Sequence, residues 1–137
     1  MKARSARTRG RALVLLASGA TIAVVALAGC SSSKPGYCTD RANLENSVKG
    51  LTSMSISTLK AQLSQIQSDA TALVNSAKSD FPSQTSAISS SVTALKSSVT
   101  ALPSSPSASQ VAIVGKDAAS VVSSVKNFTD ATSSQCG

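Results

Sequence analysis

The 137-residue chain contains no His and no Trp, and only one Tyr and two Phe. The lack of His removes Ser-His and Cys-His nucleophile pairs and every imidazole-ligated metal centre. Acidic side chains are also scarce: Asp40, Glu45, Asp69, Asp80, Asp117 and Asp130 are all there are. A Gly-rich phosphate loop is missing, because Gly115-Lys116-Asp117 lacks the preceding Gly and the following Ser or Thr. The formal charge of +7 points at first to a polyanionic partner. Five of the basic residues, Lys2, Arg4, Arg7, Arg9 and Arg11, nevertheless precede the first apolar run. Residues 30–137 carry eight basic and six acidic side chains, a net +2 that offers no basic surface for nucleic acid.

What is present begins with that basic stretch and the 17-residue run Ala12–Ala28, rich in Ala, Val and Leu. A positive end followed by an apolar run, short for a membrane span, is the layout of an export signal. The run leads into Leu27-Ala28-Gly29-Cys30. These four residues resemble the lipobox of bacterial lipoproteins at every position, and the resemblance covers the first thirty residues. It implies cleavage between Gly29 and Cys30 by a signal peptidase, which small residues at 28 and 29 would admit. It also implies a diacylglyceryl group, with palmitate-like chains, on the Cys30 thiol. Two or more acyl chains anchor a protein stably where one would not. The mature chain is therefore expected on the extracytoplasmic face of the cell membrane, held there by lipid. Arg7, Arg9 and Arg11 are never adjacent, so the general secretory route is expected rather than the twin-arginine one. The expected division is a signal peptide over 1–29, a lipidated cysteine with a flexible linker over 30–37, and a helical-bundle domain over 38–137.

In the linker, Pro35 should stop the next helix from running back, and Tyr37 is read as packing at the domain edge. Leu44, Val48 and Leu51 mark one face of a short first helix over 39–50, begun by Thr39 or Asp40. After a turn with Ser55 as a candidate cap, Ile56, Leu59, Leu63, Ile66, Ala70, Leu73 and Ala77 alternate spacings of three and four. Pro82 marks the break to a third helix, seamed by Ile88, Val92, Leu95, Val99 and Leu102. Val111, Val114, Ala118, Val121, Val125 and Phe128 seam the last helix. That helix starts either from Ser105-Pro106 or from a capping box over Ser107–Gln110. Val74, Ile113 and Val122 lie beside the seams and should widen the buried stripe. The expected fold is all-α: an antiparallel up-down bundle of one short and three long helices.

Its core is thin. Leu, Ile, Val and Phe are 22 of the 108 residues from Cys30 onward, near the level at which chains stay disordered. Small domains of this kind usually need a staple. With Cys30 lipidated, Cys38 and Cys136 remain as an even pair in an oxidising compartment, and a disulfide between them is expected. Four alternating helices would bring the two cysteines to one end. Three helices, with the first two segments fused, would leave them at opposite ends.

Chemistry has little purchase on this pattern. A glycosidase-type carboxylate pair would have to face across a cleft. In the heptad frame Asp69 and Asp117 flank the seam and Asp130 points outward, positions for solvated charges or weak ion pairs with Lys60 and Lys96. Serine is abundant, with 27 of those 108 residues, but no His is available as a base. Leu102–Ser109 is a candidate O-glycosylation stretch. Asn127-Phe128-Thr129 matches the N-glycosylation pattern, a chance match if the chain is bacterial.

No catalytic, cofactor-binding or metal-ligating residue is assigned, and no enzymatic activity is expected. The composition, the Arg-rich signal and the paired cysteines resemble small exported lipoproteins of high-GC Gram-positive bacteria. The function expected is a surface-exposed, non-catalytic interaction or structural module of the cell envelope, with an unidentified envelope protein or ligand as partner. The alternative is a carrier or scavenger of a small apolar ligand or lipid between the helices. Seams of Val, Leu and Ala weigh against it, since drug-sized ligands need pockets of several hundred Å³.

Overall fold

In the computed structural model, which describes residues 34–137, the heptad seams become helices and no strand is present among the described residues. The signal segment and Leu27–Cys30 lie outside the described residues. Five helices follow one another: α1 Gly36–Val48, α2 Ile56–Ala77, α3 Pro82–Thr100, α4 Ala108–Ala131 and the single turn α5 Ser133–Cys136. A 3₁₀ turn, Leu51–Ser53, sits between α1 and α2. Residues 34–137 form one compact unit whose core is drawn entirely from these elements.

Local chemistry sets most boundaries. Ser55 caps α2, its Oγ accepting from the Thr58 amide at 3.3 Å. Pro82 opens α3 at a position where its missing N–H costs nothing. Of the two starts open for α4, the capping box is the one formed. Ser107 N donates to Gln110 Oε1 at 2.8 Å, and Gln110 N donates to Ser107 Oγ at 3.3 Å.

Two elements differ from expectation. α1 begins at Gly36, inside the segment expected to be linker, and ends at Val48, two residues early. Pro35 is its last extended residue, as its fixed φ favours, and helix follows at once because Tyr37 and Cys38 must both be buried. At the other end Gly50 adopts φ 74°, a left-handed turn that other residues resist, and so cuts the helix off. The second difference is α5. Thr132, fully buried, breaks α4 from α5, and one further turn carries Cys136 inward.

For three helix pairs the contacts give a register in which numbers rise on one helix as they fall on the other. Asp40 meets Ser76 and Ser47 meets Asp69 across α1 and α2. Arg41 meets Thr132 and Glu45 meets Thr129 across α1 and α4. On α2 and α3, Lys60 and Leu63 lie by Val99 and Thr100, while Ala70 and Val74 lie by Ser89 and Val92.

Leu44, Ile66, Leu73, Ile88, Leu95, Val121 and Phe128 are fully buried along the axis. Ile56, Leu63 and Leu102 pack against that core while half-buried. Val111 departs from the expected seam and is 40% exposed. It lies in the first turn of α4, while α1 has its contacts with α4 at the far end of that helix, so no α1 residue covers it. Ile113, expected to widen the stripe, is 55% exposed.

At one end three rings meet edge to face. Tyr37 lies 5.5 Å from Phe81 and 6.2 Å from Phe128, and Phe81 lies 5.5 Å from Phe128. They come from the start of α1, the α2–α3 turn and the end of α4. Beside them Cys38 and Cys136 form a disulfide, Cα–Cα 5.4 Å, closing 98 residues. Loop closure on that scale should contribute about 4–5 kcal/mol in the chain-entropy account. Urea unfolding of Cys38→Ser/Cys136→Ser is expected to show a loss of that order. Phe128→Ala should cost about 3–5 kcal/mol, and an unchanged midpoint would remove the ring cluster from this account.

Candidate functional site

The sequence singles out three groups: the lipobox, the cysteine pair and the six acids. Leu27, Ala28, Gly29 and Cys30 lie outside the described residues. Cys38 and Cys136 are bonded to each other and buried. The acids are dispersed over the bundle, and most are held by a neighbour. Asp40 accepts from the Ser76 hydroxyl at 2.6 Å. Asp69 accepts from Ser47 Oγ and, at 2.9 Å, from Gln65 Nε2. Asp130 pairs with Lys126 at 2.7 Å.

The partners expected for these acids, Lys60 and Lys96, form no ion pair among the described residues. The pairs present join residues four apart on one helix, Arg41–Glu45 and Lys126–Asp130, because that spacing places side chains on the same face. No three Cys, Asp or Glu side chains among the described residues converge in a way that could hold a metal ion. No helix there is long and apolar enough to cross a membrane.

One polar cluster escaped the sequence reading. Arg41 on α1 is 15% exposed at its side chain and reaches Thr132 Oγ1 through Nη1 at 3.2 Å. Its Nε lies 3.4 Å from Glu45 Oε1 yet makes no hydrogen bond, so the charges attract without a directed N–H···O contact. The Thr129 hydroxyl donates to the same Glu45 oxygen. Thr132 also donates to the Phe128 carbonyl at 2.8 Å. Lys34 completes this end of the domain, its Nζ donating to the Cys136 carbonyl at 2.8 Å. The only sequence signal was a charged i,i+4 pair, Arg41–Glu45, on a helix that must pack on its neighbours. That Thr129 and Thr132 answer it from 84 and 91 residues away was not readable.

Several grooves run between helices among the described residues, and two of them carry apolar surface and are open to solvent. One, about 330 Å³, lies between α2 and α3 over Ala70, Val74 and Val92, with Gln67, Thr93 and Lys96 along it. The other, about 390 Å³, lies between the end of α1 with its 3₁₀ turn and the second half of α4. Val48, Leu51, Val122 and Val125 form its apolar surface, and Glu45, Lys49 and Lys126 stand at its edges. Val74 and Val122, expected to widen the buried stripe, are half-buried and line these grooves.

No protein-family model matches the chain, and no curated protein and no solved structure matches it either.

Thr132→Val keeps the shape of the side chain but leaves Arg41 without its acceptor and removes the bond to Phe128. A buried donor left unpaired costs about 1–3 kcal/mol, which denaturant unfolding of the oxidised domain should register. Asp130→Ala breaks only an exposed pair and is expected to change stability by less than about 0.5 kcal/mol. Equal effects from the two changes would contradict a structural role for the Arg41–Thr132 contact.

Proposed function

We propose that the protein is a lipid-anchored, non-catalytic interaction or structural module on the extracytoplasmic face of a bacterial cell membrane. The observation that carries this reading is the tetrapeptide Leu27-Ala28-Gly29-Cys30 behind a basic stretch and a 17-residue apolar run. The buried Cys38–Cys136 bridge supports export, since such bonds persist in oxidising compartments. The compact unit begins at Lys34, four residues after Cys30 in the sequence. The opposed register of neighbouring helices supports an antiparallel up-down bundle as the domain so displayed. Its outer faces are rich in Ser and Thr hydroxyls, suited to a surface that stays hydrated without strong net charge.

A second reading, a carrier or scavenger of a small apolar ligand or lipid, has one observation in its favour: the open apolar groove between α1 and α4.

Cys30→Ser tests the first reading. Acylation and cleavage should both fail, leaving an unprocessed precursor of higher mass. Mass spectrometry and membrane fractionation check it. The same mature mass and the same membrane fraction as the unaltered protein would overturn lipid anchoring at Cys30.

A further inference from the structure

We infer that the groove between α1 and α4 binds a single-chain anionic amphiphile, a molecule with one alkyl tail and a small acidic head such as a carboxylate. The inference deepens the carrier reading by naming the class of ligand and the residues that select it. The apolar surface comes first. Val48, Leu51 and Val125 are buried residues whose outer edges line the groove, and half-buried Val122 adds the more accessible apolar surface. Gly50, with φ 74°, turns the chain beside it and lines the groove with backbone. The volume, about 390 Å³, falls at the small end of ligand sites, room for one alkyl chain rather than two. An extended peptide would find few hydrogen-bond partners, and the Thr129 hydroxyl is already given to Glu45.

Charge at the edges decides the head group. Glu45 is compensated by Arg41 at 3.4 Å and by the Thr129 hydroxyl. Lys126 is compensated by Asp130 at 2.7 Å. Lys49 is exposed and forms no ion pair among the described residues, so the uncompensated charge on this rim is positive. An acidic head beside Lys49, with its tail laid along Val122 and Val125, would match both features.

The test uses residues 34–137 with the disulfide formed, the unit whose core is complete in itself. A fluorescent long-chain fatty acid and its uncharged alcohol analogue are titrated separately. Saturable binding is expected for the acid, with the alcohol weaker. Val122→Phe, which fills the groove with an apolar side chain, should abolish saturable binding of both. Lys49→Glu, an exposed change that leaves the fold alone, should weaken the acid about fivefold and leave the alcohol unchanged. No saturable binding of either probe would overturn the inference together with the carrier reading. Equal binding of acid and alcohol, indifferent to Lys49→Glu, would overturn the anionic assignment and leave the carrier reading standing. Acid binding that persists in folded Val122→Phe would place the site elsewhere and also overturn the inference.

Discussion

The covalent bond between Cys38 and Cys136 joins the first helix to the last turn of the chain, and the rest of the structure depends on that closure. A domain whose large apolar side chains are about a fifth of its residues buries little hydrophobic surface against the entropy of ordering its backbone. Closing 98 residues restricts the unfolded chain before any packing is counted. The same end of the domain holds its aromatic rings, its buried threonines Thr85 and Thr132, and the long-range hydrogen bond from the Arg41 guanidinium. Covalent, apolar and polar restraints are therefore concentrated together. α5 exists to deliver Cys136 to this place, and α1 starts as early as Gly36 to deliver Tyr37 and Cys38.

The far end is built more lightly. α1 has 13 residues, about 20 Å of helix, whereas α2, with 22, spans about 33 Å. The segment from Lys49 to Ser55 must cover the difference, and it does so with one 3₁₀ turn in place of a helix. Half-buried Met54, Ile56, Leu63 and Leu102 belong to the elements and turns at this end, as do exposed Val111 and Ile113. Local opening is expected where buried contacts are few.

Much of this fold is legible in the sequence because its helices are specified locally. The alternating three-and-four spacing from Ile56 to Ala77, the Ser55 cap, Pro82 in a first turn and the Ser107–Gln110 box each act within a few residues. The cysteine pair was legible for a different reason, since only two thiols remain once Cys30 is set aside. What escaped was set by partners distant in sequence. Gly36 and Tyr37 look like linker until Phe81 and Phe128 are placed beside them. Thr132 looks like a surface hydroxyl until Arg41 reaches it. Val111 fits its heptad perfectly well, but periodicity does not say where a neighbouring helix stops. The groove beside Val122 is equally invisible in one dimension, because it arises where α1 ends short of its neighbours.

The central claim, that the bundle is held from its disulfide end, is tested most directly by native-state hydrogen exchange of the oxidised domain, read amide by amide. Leu44, Leu73, Ile88 and Phe128 should exchange only through global unfolding, whereas Leu59, Val99 and Val114 should exchange faster through partial opening of the far end. All seven are buried, so burial alone does not separate the two sets. Uniform protection across both sets, or slower exchange in the second, would contradict the account.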